Sequence, residues 1–154
     1  MQKIPKEIPS CDGIHTLRGI LYLPEKPKAI VQIVHGMAEH IGRYDAFMTY
    51  LAENGCIACG HDHLGHGKTA ENDAELGFFA SKNGDTLVCE DTLAFGKAVK
   101  EEYPSLPLIL LGHSMGSFIV RLAAKDVLPD KLIVMGTGAK NPAADAALVL
   151  VSML

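Results

Sequence analysis

Gly112-His113-Ser114-Met115-Gly116 is the stretch of this 154-residue sequence whose residue types and spacing can do chemistry. G-x-S-x-G sets a serine hydroxyl on a sharp turn between a strand and a helix, where it is exposed and able to attack an acyl carbon. Small residues two places before and after the serine let strand and helix pass closely. The backbone N–H that follows, on Met115, can then face an oxygen on which negative charge develops. The flanks supply the required context. Leu108 to Leu111 reads as the clearest buried strand of the chain. Met115 to Leu128 reads as a helix with Phe118, Ile119 and Leu122 inward and Pro129 just past its end. Without such flanks the pentapeptide would be a Gly-rich turn carrying an idle serine.

Two further stretches bear polar groups at turns. His35-Gly36-Met37-Ala38-Glu39-His40 follows the short apolar run Ala29 to Val34. A His-Gly turn after an early strand is where a second oxyanion donor is placed in enzymes built on such a serine turn, here the Met37 N–H. His61-Asp62-His63-Leu64-Gly65-His66-Gly67 puts three histidines and an aspartate within six residues. His61, His63 and His66 could ligate a metal. The alternative is a loop whose polar side chains hydrogen-bond one another and brace the neighbouring turns, and this is the preferred reading, with no metal and no cofactor. His113 neighbours the serine but projects differently from it, so it is not expected to be the base. Gly136-Thr137-Gly138 lacks a third glycine at position 141, so no dinucleotide fingerprint is present.

The elements that must hold these turns alternate. His15 to Leu23 reads as a strand closed by Pro24, and Ala29 to Val34 as a buried strand. Tyr44, Phe47, Met48 and Leu51 recur at helical spacing before Gly55. Cys56 to Cys59 is the next buried strand. Gly60 to Gly84 is long for a connection, which marks it as functional. Asp85 is expected to cap a helix that buries Val88, Thr92, Phe95 and Val99 and stops at Tyr103-Pro104. Leu132 to Met135 is one more strand. Strand–helix alternation specifies an α/β fold, a mostly parallel sheet with helices on both faces.

Composition narrows the function. Hydrophobic residues are 48% of the chain and charged residues 21%, as in a globular domain, and the net charge is −4 with no basic run, which argues against nucleic acid. No segment reaches about 18 consecutive apolar residues, and Met1 to Ser10 lacks the apolar core of a secretory leader. Cys11, Cys56, Cys59 and Cys89 have no zinc spacing, and Cys56 and Cys59 point to opposite faces of a strand. Reduced cysteines in a cytoplasmic protein are the expectation. From Ala143 to Leu154 the sequence is almost wholly apolar, a patch that invites association unless covered.

The three stretches, in this order and spacing, resemble the α/β-hydrolase superfamily, and within it the monoacylglycerol lipase and lysophospholipase branch of serine aminopeptidase-type hydrolases. The branch's H-G-x-x-E-H-x-x-R-Y is met by His35, Gly36, Glu39, His40, Arg43 and Tyr44, its D-x-x-G-H-G by Asp62, Gly65, His66 and Gly67, and its G-H-S-M-G by the serine turn. A leading hairpin ending in Tyr22-Leu23-Pro24 agrees as well. The resemblance implies Ser114 as nucleophile, Met37 and Met115 as oxyanion donors, and His35, Gly36, Gly112, His113, Gly116, Asp62, Gly65, His66 and Gly67 as support. It implies a small lipid-ester substrate, with contact at a membrane surface and self-association through the exposed edge as further expectations.

The resemblance also implies that triad acid and base follow later strands, beyond a cap inserted after the strand ending at Met135. After Ser114 the acids are Asp126, Asp130 and Asp145, none of which matches the triad acid, and there is no histidine. Residues 1–139 are therefore expected to be the N-terminal part of a hydrolase core and 140–154 the start of the cap. Two functions follow: a serine ester hydrolase that takes its base from elsewhere, or a catalytically incomplete half that serves as a scaffold or self-associates.

Overall fold

The computed structural model describes residues 1–126 and 129–138. Six strands form one sheet: β1 Gln2–Pro9, β2 Thr16–Leu23, β3 Ala29–Val34, β4 Cys56–His61, β5 Leu108–His113 and β6 Lys131–Met135, in the spatial order β1-β2-β4-β3-β5-β6. β1, β2 and β4 pair antiparallel, while β4, β3, β5 and β6 run parallel. Three helices cover it, α1 Asp45–Glu53, α2 Gly84–Glu102 and α3 Met115–Ala123. The chain is α/β, as the alternation predicts.

The parallel strands are continuous apolar runs because both their faces are covered. Alternate residues of β3 go to opposite sides. Ile30 and Val34 join Phe95, Val99 and Val120 beneath α2 and α3, whereas Val31 and Ile33 join Met48 and Ala52 beneath α1. Cys59 and Cys56 divide in the same way. α2 buries Val88, Thr92, Phe95 and Val99 as its spacing requires.

Two expectations need correction. The residue capping α2 is Asn83, in the left-handed region at φ +54°, and Asp85 lies inside the first turn. α3 turns Gly116, Ser117, Ile119, Val120 and Ala123 inward, while Phe118 and Leu122 are exposed. Its glycine lies on the inner side because the helix must approach β3 there, and Phe118 and Leu122 fall on the far side of the helix. β1, which residue patterning does not single out, pairs along its whole length with β2, from Gln2↔Leu23 to Pro9↔Thr16. Its prolines are tolerated because it is an edge strand.

β6 pairs with β5 on one side only among the described residues. Leu132, Ile133 and Met135, with Phe118 and Leu122 of α3, leave an exposed apolar flank at this edge. The expected division at 139/140 lies outside the described residues. No described helix is long and apolar enough to cross a membrane.

Candidate active site

Parallel strands end at one edge of the sheet, and the turns leaving them meet there. β3 and β5 are in register to their ends, with Val34 opposite Gly112, and β5 and β6 align His113 with Met135. The turns at His35 and Ser114 are therefore neighbours by sheet geometry alone.

Ser114 sits between β5 and α3 at φ +52° and ψ −119°, and it is exposed. Non-glycine residues rarely hold a positive φ, and such strain persists only where the surroundings enforce it. Here the enforcement is steric. A Cβ on Gly116 would lie 2.0 Å from the Val34 carbonyl oxygen, and one on Gly112 would lie 2.2 Å from the Gly116 carbonyl oxygen. Helix and strands thus approach backbone to backbone, which bends the chain sharply at Ser114. The serine's own N–H donates to the Met135 carbonyl at 2.9 Å, and its carbonyl accepts from Ser117. The N–H of Met115, first in α3, has no partner among the described residues.

The His-Gly turn lies against this bend. A Cβ on Gly36 would come within 3.1 Å of the Ser114 Cβ and 3.3 Å of the His113 carbonyl oxygen. Met37 follows with its side chain exposed, and Ala38 is left-handed at φ +56°. The turn is anchored by buried His35, whose Nε2 accepts the His63 N–H at 3.1 Å. That bond requires an unprotonated Nε2, so Nδ1 carries the hydrogen and donates to the Gly36 carbonyl at 2.8 Å.

Asp62, Gly65, His66 and Gly67 make no described contact with Ser114. They fasten the loop that underlies the His-Gly turn. Asp62 accepts the Ile41 N–H on one oxygen and the Lys68 N–H on the other, both at 2.7 Å. Gly67, at φ +51°, leaves the space that this carboxylate fills. His66 Nδ1 donates to the Leu64 carbonyl at 2.9 Å, and His63 Nε2 lies 3.3 Å from the His35 carbonyl. His61 packs against Phe95 with ring centroids 4.9 Å apart and planes tilted by 34°. Among the described residues no three His, Cys, Asp or Glu side chains are placed to hold a metal ion.

Burial holds three of these histidines neutral. It pushes His61 down to about 3, His63 well below its ordinary value, and His35 down as well. The unfolded chain binds protons at these sites near pH 6.5 and the folded chain does not, so acid favours unfolding. Each such histidine therefore lowers stability progressively as pH falls below 6.5 toward its folded value. His15 works oppositely, since Asp12, 2.5 Å away, raises it. Urea midpoints should therefore fall steeply from pH 6 to 4, while His15 contributes a smaller loss as pH rises above 6.5. Replacing His61 by Phe should flatten that fall.

Glu39 and Tyr44 belong to the H-G-x-x-E-H-x-x-R-Y stretch, but the resemblance implies no role for them at the site. The Glu39 carboxylate is buried behind the turn, where its Oε1 accepts the Gly36 N–H at 2.5 Å and the Tyr44 hydroxyl at 2.7 Å, 3.3 Å from His113 Nδ1. Burial works against its charge, but the bonds from Tyr44, Gly36 and His113 outweigh it and hold the acid below the ordinary carboxylate range. The signal available in the sequence is an acid in an otherwise uncharged turn. Asp130 accepts the Leu108 N–H at 2.7 Å, at the opposite end of β5 from Ser114. Asp126 lies in the turn after α3, and Asp145 is outside the described residues.

Comparison with known proteins agrees with this geometry. The serine aminopeptidase (S33) hydrolase family matches residues 25–153. A monoglyceride lipase homolog of monkeypox virus is 38% identical over 110 residues, covering 65% of this chain and 34% of its own length. Human monoglyceride lipase is 32% identical over 128 residues, covering 83% of this chain and 36% of its own. A solved carboxyl esterase from Bacillus coagulans, in complex with glycerol, superposes with a TM-score of 0.87 at 36% identity, over 100% of this chain and 50% of its own. The chain thus spans about a third of the curated relatives' length and half of that esterase. With its serine turn, strand order and family match in accord, the chain belongs to the serine aminopeptidase (S33) family of α/β-hydrolases.

Proposed function

We propose that this chain carries the nucleophile and oxyanion hole of a serine hydrolase that cleaves carboxylic esters of lipid-like alcohols, monoacylglycerol or lysophospholipid, through an acyl-enzyme on Ser114. The strained, exposed conformation of Ser114 at the end of β5 carries this reading. The names of the relatives, monoglyceride lipases and a carboxyl esterase, support the substrate class.

In this scheme the Ser114 hydroxyl oxygen attacks the ester carbonyl while a base removes its proton. The carbonyl oxygen becomes an anion, held by the N–H groups of Met37 and Met115. The Ser114 N–H is committed to Met135, so the donor from the elbow is the next one along. Collapse expels the alcohol, which takes the proton from the base, and water then releases the acid from Ser114 by the reverse steps. No histidine follows Ser114 in the sequence, and the ring of His113 is held by Tyr44 and Glu39. Base and acid are therefore assigned to groups outside these 154 residues.

One observation favours a second reading. The apolar flank of β6 and α3 suits a half-domain that associates through this edge without catalysing. Treatment with a fluorophosphonate followed by intact-mass measurement separates the two. In the protein expressed from its whole reading frame, the hydrolase reading expects one adduct per chain, mapped to Ser114; an unreacted chain would leave the incomplete half-domain.

A further inference from the structure

Glu39 has no part in the scheme above, yet its carboxylate is only 7% exposed and lies among the groups that do. One oxygen, Oε1, gathers donors from three separate places: the turn after β3 through the Gly36 N–H, the start of α1 through the Tyr44 hydroxyl, and the end of β5 through His113 Nδ1. Oε2 lies 3.3 Å from an Arg43 guanidinium nitrogen. The hydrogens can be assigned. Tyr44 has one, and at 2.7 Å it goes to Glu39. Its oxygen, 3.0 Å from His113 Nδ1, must then accept, so His113 carries its proton on Nδ1 and shares it between Tyr44 and Glu39. An acid held charged behind a turn, with every donor directed at it, forms stronger bonds than a neutral acceptor could.

The two outer members of this cluster are the residues immediately before the reacting groups. Gly36 precedes Met37, and His113 precedes Ser114. We propose that Glu39 is a positioning residue: one carboxylate oxygen ties the Gly36–Met37 turn to the His113–Ser114 turn and so fixes the oxyanion donors relative to the nucleophile. This rests on the assignment of Ser114 as nucleophile. Misplacement by about 1 Å costs on the order of 10²-fold in rate, which sets the size of the effect.

The test compares Glu39→Gln and Glu39→Ala with the parent protein, expressed from its whole reading frame, in the hydrolysis of p-nitrophenyl butyrate. Glutamine keeps an acceptor but loses the charge, so kcat should fall about tenfold; alanine should cost about a hundredfold. KM should stay within about twofold in both, because a tether acts on the transition state and not on substrate contact. A boronic acid, which forms a tetrahedral adduct on serine, should bind more weakly by the same factors. Amide NMR adds a readout that needs no turnover: in Glu39→Gln the Gly36 and Met37 resonances should move while that of Gly13 stays. If Glu39→Ala fails to fold, the glutamine variant decides. Unchanged kcat, a rise in KM alone, or unmoved Gly36 and Met37 amides would overturn the proposal. Ser114→Ala keeps the two assignments apart. Activity surviving that change removes the nucleophile and the tether together, whereas activity lost there but kept in the Glu39 variants removes the tether alone.

Discussion

On the proposed hydrolase reading, Ser114→Ala in the protein expressed from its whole reading frame is expected to lower ester turnover by on the order of 10⁶-fold while leaving the fold intact. The size of the loss comes from the covalent step: without the oxygen there is no acyl-enzyme, and the oxyanion donors alone retain about 10³–10⁴ over water. The fold is spared because the serine is exposed and its hydroxyl makes no hydrogen bond among the described residues. Alanine also meets the same backbone strain at φ +52° as serine does. The melting temperature should therefore stay within about 2 °C, the equivalent of roughly half a kcal/mol. Hydrolysis of a chromogenic ester and a melting curve on the same sample decide the matter. More than a few per cent of residual turnover would move the nucleophile elsewhere.

Gly116→Ala should do the reverse, breaking the fold before the chemistry is reached. The added Cβ would sit 2.0 Å from the Val34 carbonyl oxygen and 2.7 Å from that of His35. Both belong to backbone at the end of β3 and the start of the turn leaving it, which cannot turn aside as a side chain can. Overpacking of a core costs about 1–3 kcal/mol even where side chains take the strain, so about 3 kcal/mol or more is expected here. At this chain length that is a drop of roughly 10 °C in melting temperature. Gly13→Ala is the control: it is left-handed at φ +73° but has nothing within 4 Å, so only backbone strain of about 1 kcal/mol remains. Equal losses at the two positions would mean that the close approach of α3 to β3 is not what holds the turn.

The parts of the fold that are legible in the sequence are those where burial leaves no choice. Ala29–Val34 and Leu108–Leu111 are unbroken apolar runs because both their faces are covered, and the G-x-S-x-G pattern between strand and helix is constrained by backbone contact that no other residue permits. β1 is less legible because its residues are mostly exposed and two of the eight are prolines; it is a strand only through its pairing with β2. The inward face of α3 is hard to read for a related reason. Periodicity alone nominates Phe118, Ile119 and Leu122, but the inward face is centred on Gly116, Val120 and Ala123 with Ile119, and Phe118 and Leu122 are left on the apolar flank. At the site, Ser114, His35 and Asp62 stand in recognisable local patterns. Glu39 and His113 are 74 residues apart and meet only when the ends of β3 and β5 are brought into register, so nothing in either neighbourhood announces their contact.

The hydrogen bond from the Ser114 N–H to the Met135 carbonyl sets an order of events. Met135 is the last residue of β6, and it reaches that N–H only when β6 has paired with β5. During synthesis the serine emerges well before residue 135, so for that interval the turn lacks one of the bonds that hold it. The strand and helix on either side can form early from local contacts, but the reactive geometry waits for the edge of the sheet to arrive. Ser114 is made after the turns at residues 35–67, and it takes its final geometry only once Met135 has arrived.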